Sequence, residues 1–152
     1  MKTNIAGVIT AGVIATLVMT GVGLYVAPMM GMPAMNPADM LAAQMGGIAA
    51  AGWAGHLMIG VVLAFIYATV AASRLPGPPV VRGALFSLAP WLMAQIVVMP
   101  MMGMGLFSSS AVLATGSLIG HLVYGAVLGG IVSVTAGAPA QAGHGSAAAS
   151  AA

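Results

Sequence analysis

Charge is what this sequence has least of. Of its 152 residues only Lys2, Arg74 and Arg82 are basic and only Asp39 is acidic, 3% charged in all. A water-facing domain carries about a quarter charged residues, so this chain has too few to cover a soluble surface. The formal charge of +2 is too small for a nucleic-acid footprint, and no nucleic-acid partner is expected. Cysteine is absent, which excludes disulfides, thiolate chemistry and cysteine-held clusters. There is no pair of carboxylates and no nucleophile with an evident base, so the chain is not expected to be an enzyme. What it has in plenty is apolar surface. Hydrophobic residues make up 61% of the chain and the mean hydropathy is +1.13, which makes the lipid bilayer its expected surroundings.

Four apolar segments stand out, about 5–27, 47–72, 81–99 and 111–135. A helix crosses the hydrocarbon core with roughly 20 apolar residues, and each segment is near or above that length. The expected fold is all-α, an integral membrane four-helix bundle over residues 1–135, followed by a flexible tail at 136–152. The stretch "SRLPGPPVVRG" between the second and third segments reads as a turn. Pro90 falls inside the third segment and predicts a kink there. Lys2, Arg74 and Arg82 all lie on one side of such a bundle. The positive-inside rule then puts both termini in the cytoplasm.

The segments repeat. "PMMGM" closes the first at Pro28 and the third at Pro100, and each copy is followed by a loop and a helix carrying Gly-His-Leu. "GHLMIGVVLAFI" begins at Gly55 and "GHLVYGAVLGGI" at Gly120. The chain thus reads as two transmembrane hairpins, about 5–72 and 81–135, related by a pseudo-two-fold along the membrane normal. Segment one is half of a repeat unit and is expected to remain rather than be cleaved as a signal peptide. The first outer loop is longer and contains "NPADMLAAQMGG". Asn36 can cap, Pro37 suits the first helical position and Asp39 the first turn, which predicts a short interfacial helix at 37–45 ended by Gly46 and Gly47.

The order "PMMGM", "GW…GHL", "PWLMAQ…MPMMG" and "GHLVYG" resembles an uncharacterised family of small bacterial four-span membrane proteins. The resemblance covers most of residues 1–135 and implies a fold and a membrane location, and no activity.

The histidines carry the chemistry. Side chains four apart share a helix face. Around His56 that face reads Gly52, His56, Gly60, Ala64, Ala68, and around His121 it reads Ser117, His121, Gly125, Gly129, Ser133. In an up-down bundle the second and fourth helices are diagonal, so His56 and His121 should face each other at similar depth. One reading gives the histidines a packing or ligand-binding role in a non-catalytic accessory or interaction subunit, partnered by another membrane protein or by a second copy of the chain. Another is ligation of a metal ion or haem b by both rings. The stripe and helix order resemble membrane b-type cytochromes, which implies Gly52, Gly60 and Gly125 beside a flat ligand. No outer-side Arg or Lys is available for haem propionates. A third reading uses the methionines, 14 in all. Met29, Met30 and Met32, with Met35, cluster at one outer loop, and Met101, Met102 and Met104, with Met99, at the other. Thioethers select Cu(I), so copper handling is the reading there, with small-solute transport beside it. Gln95 and Tyr124 are expected to hydrogen-bond across helices, as possible partners of a histidine, and Trp53 to anchor at the interface.

Overall fold

The computed structural model describes residues 4–137, and these form five helices with no strand among them. Four are long and apolar enough to cross a membrane: α1 (Ile5–Met29), α3 (Ala49–Ala71), α4 (Pro79–Met101) and α5 (Ala111–Gly137). The fifth, α2 (Pro37–Gln44), is the expected short helix. The side chain of Asn36 accepts from the Ala38 N–H at 3.1 Å, with Pro37 and Asp39 in the first turn. Asn4 caps α1 in the same way, accepting from the Gly7 N–H at 3.1 Å. The expected flexible tail runs into residues 138–152, which lie outside those described.

The two PMMGM corners have the same backbone. A π-turn occupies Val22–Val26 in α1 and Ala94–Val98 in α4, each directly before the closing Met-Pro or Ala-Pro turn. Pro28 and Pro100 cannot donate to the carbonyl four residues back, and their rings crowd it, so the helix widens by one residue just ahead of them. Gly31 and Gly103 then turn the chain out of the helix with φ of 79° and 77°, a region that favours glycine. The hydrogen bonds match as well: Met32 N–H to the Ala27 carbonyl, and Met104 N–H to the Met99 carbonyl. Pro90 sits within α4. A third π-turn, Tyr67–Ala71, ends α3 without a proline to account for it.

Packing runs in the order α3, α1, α5, α4, and α2 lies on α3. Inside lipid there is no hydrophobic drive between helices, so their association depends on close approach and hydrogen bonds. Glycine permits the approach. A Cβ on Gly60 would strike the Thr16 side chain of α1, and one on Gly125 the backbone of Gly83 in α4. The apolar core, with Ala11, Ala15, Ala64, Tyr67, Tyr124 and Leu128, fills the half of the bundle nearer Arg74 and Arg82. There α3 meets α4: the Tyr67 hydroxyl donates to the Pro79 carbonyl at 3.3 Å, and Arg82 to the Ala72 carbonyl at 3.1 Å. Towards the methionine-rich end α3 and α4 are not packed together.

Candidate functional site

The gap between α3 and α4 leads into a cavity of about 230 Å³ in the methionine-rich half of the bundle. Residues from all five helices line it, and both intramembrane histidines are among them. Its floor is where α5 touches α3: the Tyr124 hydroxyl donates to the Gly60 carbonyl at 2.6 Å. Ile59 and Met93 line the cavity and are also exposed, so they flank its mouth on the lipid-facing side. Pro37, Met40 and Leu41 of α2 close it at the outer end.

Each histidine has one ring nitrogen engaged. His56 is 7% exposed, and its Nε2 lies 3.0 Å from the Thr20 hydroxyl. That hydroxyl donates its one proton to the Thr16 carbonyl at 2.9 Å, so the ring is the donor and Thr20 the acceptor. In the neutral ring this leaves the lone pair on Nδ1. His121 is the reverse case. Its Nδ1 lies 2.8 Å from the Ser117 carbonyl, which only accepts, so Nδ1 carries the hydrogen and Nε2 the lone pair. Two rings that line one cavity therefore each keep an imidazole lone pair, and each is oriented by a protein acceptor, the arrangement in which imidazole commonly serves as a ligand.

Behind His121 stands a second polar set. Gln95, 1% exposed, donates to the Ser117 hydroxyl at 3.1 Å and accepts from Ser108 at 3.2 Å. Ser108 belongs to a short strap in which Phe107, Ser108 and Ser109 all have positive φ. Such a backbone costs on the order of 1–3 kcal/mol per residue and needs compensation. Gln95 supplies it through the Ser108 bond, as does Trp91, whose ring lies 6.0 Å from Phe107 and whose indole N–H donates to the Ala114 carbonyl. Gln95 thus shares Ser117 with His121, bonding its hydroxyl while His121 bonds its carbonyl, and does not touch the ring. The expected Tyr124–histidine bond is replaced by the bond to Gly60. Trp53 packs its ring 6.4 Å from that of His56, beside the cavity rather than only at the membrane boundary.

The methionines separate into two groups. Met29 and Met101 are 86% and 80% exposed, and Met30 is exposed with them. Met32 and Met104 are half-buried. Of the six methionines in the expected copper set only Met102 lines the cavity, where it joins Met19, Met35, Met40, Met93 and Met99. The glycines beside the histidines are largely taken up by protein. Gly52 faces the Ala38 carbonyl and Ala42 of α2, Gly60 faces Thr16 while also lining the cavity, and Gly125 faces Gly83 and Ser87. At Gly52 and Gly125 the space expected for a flat ligand holds backbone from the next helix. Among the described residues no group of three or more His, Cys, Asp or Glu could hold a metal ion.

Sequence reasoning passed over Thr16 and Thr20. Their signal was available: two hydroxyls four residues apart on an otherwise apolar helix, hence on one face.

A family model described as a family of unknown function, DUF6789, matches residues 1–143. No curated protein and no solved structure matches the chain.

Proposed function

The chain belongs to that family, whose description assigns no activity, and we propose that it is a non-catalytic membrane protein that holds a small ligand between its two intramembrane histidines. The observation that carries this reading is the pair of lone-pair nitrogens, His56 Nδ1 and His121 Nε2, belonging to rings that line one cavity and are each fixed from behind. A packing histidine would satisfy itself between helices and leave no space beside it. Apolar walls with a few placed polar groups are the usual form of a small-ligand site. The volume of about 230 Å³ is below the roughly 300–1,000 Å³ of drug-sized sites. That volume and the engagement of His56 Nε2 favour a small occupant over a haem clamped between the rings.

The same reading sets the protein in a bacterial inner membrane with the Arg74–Arg82 loop and both termini in the cytoplasm, supported by the positions of the three basic residues. The matching proline corners support an origin by duplication of one hairpin. Other membrane proteins, or a second copy, are the partners such a small bundle would serve.

Native mass spectrometry of protein extracted in mild detergent tests the reading. Wild-type protein should carry a stoichiometric non-covalent mass, and His56→Leu and His121→Leu should be bare. If wild type and variants are equally bare and neither takes up added ligand, the histidines serve packing alone.

A further inference from the structure

We infer that the cavity is a site for a soft monovalent metal ion, Cu(I), with His56 Nδ1 and His121 Nε2 as nitrogen ligands and the Met19 thioether beside them. This rests on the ligand-binding reading above and names its ligand class. Three observations carry it.

The first is the donor set. Apart from the two imidazoles, the side-chain donors lining the cavity outside its hydroxyls are thioethers. Thioether sulfur is soft and selects Cu(I) over the harder divalent ions. Met19 is well placed: it lies against Gly120, next in the chain to His121, and it precedes Thr20, which holds His56. Two consecutive residues of α1 therefore reach both histidine-bearing helices.

The second is charge. No carboxylate lines the cavity, and cysteine is absent. An ion bound there keeps its full charge in an apolar setting, where the desolvation cost rises with the square of the charge. A monovalent ion bears that cost far better than Zn²⁺, whose sites take four ligands and commonly include anionic ones.

The third is a route. Met29 and Met101 are exposed at the end of the bundle where the cavity is closed by α2. Met99 and Met102, two residues before and one residue after Met101, already line the cavity. Thioethers thus run from the exposed corner inwards. Asp39, the single acid of the chain, is exposed on α2 at that same end, where it attracts a cation.

The experiment is an anaerobic competition between the detergent-purified full-length protein and a chromogenic Cu(I) chelator, bicinchoninate. The wild type should withdraw one Cu(I) per chain. His121→Ala and Met19→Leu should weaken it by more than about tenfold, the scale on which even outer-shell changes are felt, while Met58→Leu, exposed and outside the cavity lining, should match the wild type. Because His121→Ala could misfold, a second measurement uses the wild type alone. Ag(I), a redox-inert stand-in, should shift the ¹⁵N resonances of His56 Nδ1 and His121 Nε2 more than those of their partner nitrogens. No competition with the chelator, unchanged affinity in His121→Ala, or Zn²⁺ bound as tightly as Cu(I) would overturn the inference. An organic mass lost in the histidine variants, with no Cu(I) uptake, would overturn copper and leave the ligand reading standing. A bare protein that ignores Cu(I) would end both.

Discussion

Thr20 matters more to this protein than its size suggests. Its hydroxyl accepts from His56 while donating to the Thr16 carbonyl, so it settles which nitrogen of His56 keeps a lone pair. Thr20→Val keeps the shape and removes the acceptor. A buried N–H is then left without a partner, at a cost of about 1 kcal/mol, within the range for membrane hydrogen bonds. Stability against sodium dodecyl sulfate should fall by that amount, and the His56 ¹⁵N spectrum should show a mixture of tautomers. An unchanged spectrum would mean that Thr20 does not set the ring. For His121 the corresponding part belongs to the Ser117 backbone carbonyl, which accepts from Nδ1, while Gln95 bonds the Ser117 hydroxyl beside it.

At the scale of helices, contact depends on where a side chain is missing. Gly125 and Gly83 bring α5 and α4 so close that a Cβ on either would meet the backbone of the other. Gly21, in α1, has nothing within 4 Å of where its Cβ would be. The two positions should therefore respond with opposite signs. Gly125→Ala should destabilise by about 1–3 kcal/mol, since the helices must separate. Gly21→Ala should be neutral or stabilise by up to about 1 kcal/mol through helix propensity. Denaturation of the two variants side by side checks this, and equal effects would show that α4 and α5 do not approach so closely. The proline corners work by a different means: the π-turns at Val22–Val26 and Ala94–Val98 absorb Pro28 and Pro100 without ending the helix early.

For the whole molecule, the unequal packing is what makes a cavity. Helix α3 joins α4 at the basic end through Tyr67 and Arg82, and the two stand apart at the other end. The bundle is thus closed at one end and open towards lipid at the other. The proposed orientation can be checked because the chain has no cysteine of its own. In intact cells a membrane-impermeant maleimide should label Met30→Cys and spare Ser73→Cys until the membrane is broken. The opposite pattern would invert the proposed topology and bring the methionine corner to the cytoplasm.

Composition determined the solvent and the helical class, because a chain with four charged residues must satisfy its backbone internally and hide in lipid, and the placement of its four apolar segments determined the number of spans. Local chemistry determined α2 as well: Asn36, Pro37 and Asp39 satisfy the start of a helix with no help from the rest of the fold. The shared stripes of His56 and His121 pointed to one site, since a repeat places equivalent residues at equivalent depth. Other features were decided only by tertiary structure. A small residue on a stripe does not say whether a ligand or another helix will occupy its space, and the neighbours of Gly52 and Gly125 chose the helix. A methionine near a loop does not say which way it turns, and the corners turned Met29 and Met101 outwards while Met102 went in. Which nitrogen of each histidine remains free depends on Thr20, a helix away, and on the Ser117 carbonyl one turn back. Periodicity tells which face a residue is on, but the partner on that face comes from a distant part of the chain, and only folding brings the two together.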